Sequence, residues 1–106
     1  MNIKDITNFT KVGKVPLTKE PSQEFQITLG EQNCTLGVYQ KDENVYVNLW
    51  VGGNPIFLGV SALDRVGLKG FDYMGFKGQL WFEDQNGNEN PDYSGFNDRY
   101  ILYYGN

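Results

Sequence analysis

Carboxylates dominate the chemically capable side chains of this chain: thirteen Asp and Glu stand beside nine Lys and Arg and no histidine. The commonest general base and the commonest metal ligand are therefore both missing. Paired-carboxylate catalysis needs two acids facing one cleft across several ångströms. Glu83 and Asp84 are adjacent at a strand end, so their side chains point to opposite faces. The loop 84–92 carries oxygen ligands at alternating places, Asp84, Asn86 and Asn88, as a calcium loop would. Glycine then falls at the fourth place instead of the sixth, and no glutamate stands at the twelfth. A surface turn rich in Asn and Gly is the better reading. One cysteine, Cys34, supports neither a zinc site nor an internal disulfide and reads as a small buried hydrophobe. No nucleophile elbow and no phosphate-cradling glycine pattern occurs. The expectation is a protein without catalytic, cofactor or metal residues, and not an enzyme.

Charge is divided unevenly along the chain. Residues 1–19 hold Lys4, Lys11, Lys14 and Lys19 against Asp5, a balance of +3, while residues 20–106 carry −7. An acidic body repels phosphate, so nucleic acid is not an expected partner. The leader 1–14 is basic, with Ile3, Ile6, Phe9 and Val12 spaced three apart. Thr7, Asn8, Thr10 and Gly13 weaken that helical spacing, which predicts an extended or partly helical arm. Lys4, Lys11 and Lys14 suit docking on an acidic surface, its own or a neighbouring copy's. No apolar run long enough for a secretory leader or a membrane span is present, so no membrane partner is expected. Synthesis in a reducing host cytoplasm is.

The elements that must position these groups are strands. Alternation of apolar residues predicts strands at 24–29, 35–40, 45–51, 55–60, 79–83 and 99–104, separated by turn residues. In the third of these, Val45, Val47, Leu49 and Val51 share one face, and Tyr46, Asn48 and Trp50 the other. Gly52 and Gly53 suit a tight hairpin, and Pro55 a strand start. The stretch 61–76 is broken by glycines, with a single helical turn expected at 62–66. The fold class is all-β: a small antiparallel β-sandwich or β-barrel of about six or more strands with an N-terminal arm, residues 15–106 forming one domain.

Aromatic residues are in surplus. Ten of sixteen Phe, Tyr and Trp fall after residue 70, more than a single small core can hide. Amphipathic aromatics left outside a core favour protein–protein interfaces. Tyr46, Trp50, Trp81 and Tyr103 are the candidate interaction surface. A two-sided core and a carbohydrate-stacking platform of Trp50, Trp81 and Tyr46 are the alternatives.

Several short motifs occur in a fixed order. They are Val15-Pro16-Leu17, Phe25-Gln26-Ile27-Thr28-Leu29, the segments 36–39 and 45–50, Asn54-Pro55-Ile56, Leu58-Gly59, Pro91-Asp92-Tyr93 and the tyrosine-rich 99–104. Over residues 15–104 the chain resembles the phage baseplate plug family, small proteins of tailed-phage (or prophage) baseplates. Two departures stand out: the basic leader is additional, and Gly95-Phe96 replaces the family's leucine-glycine pair. The resemblance implies a structural virion protein at the distal tail tube, near hub, tube and spike proteins, with no catalytic residues to carry over. A homo-oligomer in a symmetric ring is a further expectation. The lysine-bearing arm would clamp an adjacent acidic copy, so deleting residues 1–14 would weaken assembly without unfolding the body.

Overall fold

The computed structural model describes residues 5–70 and 75–106. Among them the chain sorts into β1 (Lys11–Val15), β2 (Ser22–Leu29), β3 (Gln32–Lys41), β4 (Asn44–Val51), β5 (Asn54–Ser61), β6 (Gln79–Asp84) and β7 (Tyr100–Gly105). β2 to β5 form one antiparallel sheet in chain order, and β1, β7 and β6 form a second in that order. Two facing sheets of four and three strands make a sandwich, not a closed barrel.

Two-residue turns set the register of the larger sheet. Gly52 and Gly53 adopt φ of 56° and 84°, the mirror-image turn whose twist matches the strands it joins. Side chains with period two then fall on alternate faces. Leu29, Cys34, Leu36, Val38, Val45, Val47 and Leu49 line the inner face and are buried. They meet Val15, Leu80, Phe82, Leu102 and Tyr104 from the smaller sheet, with Leu68, Phe76 and Phe96 filling the ends. Burying each such side chain contributes roughly 1.5–3 kcal/mol relative to leaving it in water.

Two sequence expectations change. The leader is not wholly an arm: after a single 3-10 turn at Ile6–Asn8, Lys11–Val15 is a strand hydrogen-bonded to β7. Deleting residues 1–14 would therefore strip β7 of a partner, and the boundary at residue 15 falls inside β1. Its two lysines, its glycine and a register break between Lys11 and Gly13 hide any alternation. The helical turn expected at 62–66 is absent. Arg65 takes φ of 56° inside a non-helical turn closed by Val66 N–H on the Leu63 carbonyl at 3.3 Å, and the segment follows β6. There Arg65 N–H donates to the Phe82 carbonyl and Leu68 N–H to the Leu80 carbonyl, each at 2.8 Å. A helical turn would leave those β6 carbonyls unsatisfied at a buried edge.

Candidate functional site

The outer face of the four-stranded sheet brings Tyr46 and Trp50 together as expected. Tyr46 lies between Tyr39 and Ser61, and Trp50 between Thr35 and Pro55. The rings of Tyr39 and Tyr46 stack at 5.6 Å and 24°. Trp50 leans over Gly37, where an added Cβ would sit 3.7 Å from the indole and 3.3 Å from Asn48 Nδ2. The bare glycine gives the indole a floor. Asn48 Oδ1 accepts from Gly59 N–H at 2.6 Å, holding the bulged part of β5 where Leu58 is 58% exposed. Tyr39, Tyr46 and Trp50 are half-buried against their own sheet. No layer of the described chain covers them, so a flat aromatic and amide surface faces outward.

Trp81 and Tyr103, expected on the same interaction surface, lie on the outer face of the other sheet and are buried, at 1% and 8% exposure. With Ile101 they form a cluster apart from the main core, covered by Ile6 and Phe9 of the leader. Phe9 packs on Trp81 at 6.4 Å between ring centroids, and Trp81 on Tyr103 at 6.3 Å. Thr10 and Asn106 exchange backbone hydrogen bonds of 2.9 and 3.1 Å. Lys11 Nζ lies 3.0 Å from Glu83 Oε1 and 4.1 Å above the Tyr103 ring. The Trp81 indole donates to the other Glu83 oxygen at 2.8 Å. Burial pushes the Glu83 carboxyl up, but the Trp81 and Lys11 hydrogen bonds outweigh it and leave it below its ordinary value. The basic leader thus docks on an acidic group of its own body. Lys14 is exposed on β1, and Lys4 lies outside the described residues. The three-ring sugar platform does not assemble, because Trp81 is on the opposite sheet from Trp50 and Tyr46.

The acidic loop is folded around its own donors. Asp84 is buried, and its carboxylate accepts from Arg99 Nε at 2.9 Å and Nη2 at 3.0 Å. The backbone N–H groups of Asn86 and Glu89 also donate to it, each at 2.9 Å. Arg99 above all holds the Asp84 carboxyl far below the usual carboxylate range. Arg65 ties the loop from the other side, donating to the Asp84 and Gly87 carbonyls at 3.2 and 3.0 Å. A carboxylate whose acceptor sites are filled in this way is a loop anchor. Asp92 caps the 3-10 turn Tyr93–Gly95 and accepts from Gln40 at 2.8 Å. Hydrogen bonds from Ser94 and then Gln40 lower its pKa. Among the described residues no cluster of three or more His, Cys, Asp or Glu is placed to hold a metal ion. Cys34 is buried under the larger sheet, which pushes its thiol pKa up.

The family model described as "Cyanophage baseplate Pam3 plug gp18" matches residues 12–106. The chain belongs to this plug family. No curated protein matches it. The plug-family match takes in both sheets, the aromatic face around Trp50 and the anchored loop, and it begins one residue after Lys11. The strap formed by Ile6 and Phe9 lies outside the matched part. Sequence reasoning missed Tyr39 and Leu58 as members of the outer face. The alternation Thr35, Gly37, Tyr39 could have found the first, whereas Leu58 reaches the surface through the bulge beside Gly59 and left no periodic signal.

Proposed function

We propose that this plug-family chain is a non-enzymatic structural component of a phage tail baseplate, acting through contacts with hub, tube or spike proteins. The outer face of the four-stranded sheet is the docking surface. The observation that carries this reading is the uncovered set of Tyr39, Tyr46, Trp50 and Leu58 on one rigid sheet. Aromatic anchors backed by a sheet lose little conformational entropy on docking and concentrate binding energy. The family supports the baseplate setting; assembly in the host cytoplasm and a symmetric ring of copies are further parts of the reading. Trp50→Ala is expected to leave the melting temperature within a few degrees and to weaken incorporation into tails about 30-fold, the loss typical of an interface tryptophan. Undiminished incorporation would remove this face from the assembly.

One observation favours a second reading. Next to Trp50 lies a groove lined by Gln26, Ile27, Thr28, Asn33, Cys34 and Thr35 as far as Gly52 and Gly53, with no charged side chain. Uncharged amides and hydroxyls beside an indole suit a neutral saccharide. Retention on a glycan array that disappears with Asn33→Ala would select that reading over protein docking.

A further inference from the structure

The leader strap and the face beneath it have the properties of an exchangeable pair. Ile6 and Phe9 are half-buried and pack only on the separate cluster of Trp81, Ile101 and Tyr103. Lifting them leaves the main core, anchored by Val15 and Leu17, closed. Other ties include the backbone pair of Thr10 with Asn106, the ion pair of Lys11 with the largely buried Glu83 and the contact of Lys11 with the Tyr103 ring. A hinge stands where the strap joins the sheet: the pairing of β1 with β7 shifts register between Lys11 and Gly13, and nothing lies within 4 Å of a Cβ built on Gly13. Opening bares a tryptophan, an isoleucine and a tyrosine to water, which is unfavourable, so an opened face favours being covered again. Every copy carries the same strap and the same face, so the strap of one satisfies the face of another with identical contacts.

We propose that residues 5–10 exchange between copies, the strap of one chain packing on Trp81, Ile101 and Tyr103 of a second. The partner is a second copy of this chain, and the surface is the outer face of the β1, β7, β6 sheet. Seven residues separate Gly13 from Ile6 and span about 23 Å when extended, less than the 27 Å intermediate width of the molecule. Only a copy abutting the β1 edge is within reach, which fixes how two copies must stand. Within one chain the strap competes for its own face at an effective concentration of order 1 mM. Exchange therefore grows in where copies are crowded together, and closed monomers prevail in dilute solution.

The test uses full-length protein carrying Cys34→Ser. One preparation bears Thr10→Cys and another Asn106→Cys, both exposed positions that pair with each other through backbone. The two are mixed at about 1 mM, oxidised and run without reductant. Exchange sets the new thiol of one chain against that of the other and yields a disulfide-linked heterodimer well above twice either homodimer, the proportion that random pairing gives. Adding Phe9→Ala to the Thr10→Cys chain lowers that yield about fivefold through the lost aromatic contact. Heterodimer at no more than twice either homodimer, or unmoved by Phe9→Ala, overturns the proposal. No tail component is needed, so that failure leaves the role of the Trp50 face untouched.

Discussion

Gln79→Leu is expected to lower the free energy of unfolding by about 2–5 kcal/mol, because one buried amide's hydrogen bonds to backbone groups are lost together. Gln79 has no exposed surface. Its Oε1 accepts from the backbone N–H of Lys69 at 2.7 Å, and its Nε2 donates to the Lys69 carbonyl at 2.8 Å. One amide thereby replaces the strand that would otherwise pair with this part of the chain. Gly67 makes room for it: a Cβ at that position would sit 2.6 Å from Gln79 Nε2. Leucine matches glutamine in volume, so the effect isolates hydrogen bonding from packing. The check is chemical denaturation, with the midpoint displaced and the slope unchanged. A loss under about 1 kcal/mol would mean that water or another group reaches Lys69.

Arg99→Ala is expected to release the loop 84–92 and to drop the melting temperature by on the order of 10 °C, because removing one partner of a buried ion pair leaves the other uncompensated. Asp84 loses both guanidinium hydrogen bonds and Glu89 loses its contact at 3.2 Å. The acid side of the stability curve carries a second readout. Arg99 is the main cause that lowers the Asp84 pKa from its ordinary value of 3.8. A carboxylate with a lowered folded-state pKa contributes stability in full above its ordinary value and loses it as pH falls from there towards the folded value. Wild-type protein should lose this contribution only below that point, while the variant lacks it at neutral pH already. Melting curves taken from neutral pH to about pH 3 and below should start far apart and converge in acid. Parallel curves would show that Arg99 acts through packing alone.

Much of the larger sheet could be read from the residues. In β2, β3 and β4 the alternation is clean, and Gly52 with Gly53 marks a turn by itself, so Tyr46 and Trp50 were assigned to one face correctly. What escaped was set by partners distant in sequence. β1 shows no alternation because its lysines lie on an open edge, and its place is fixed by pairing with β7. The segment at 62–66 reads as a helical turn because nothing local reveals that β6 needs an edge partner. Trp81 and Tyr103 alternate as outward-facing residues, which they are; their burial comes from Ile6 and Phe9. The contact of Lys11 with Glu83 spans 72 residues, beyond any spacing rule. Sandwich and barrel likewise differ only in how the sheets close, which local periodicity does not encode.

Two of the open sheet edges have a bearing on how far the protein can polymerise. β1 presents Lys11, Lys14 and a broken register, and β5 presents Pro55 and the bulge at Gly59. Like charges, a missing N–H and an irregular backbone all resist strand-by-strand addition. Growth into fibres through these two edges is thereby discouraged, and contacts there are left to faces whose shape can count a finite number of neighbours.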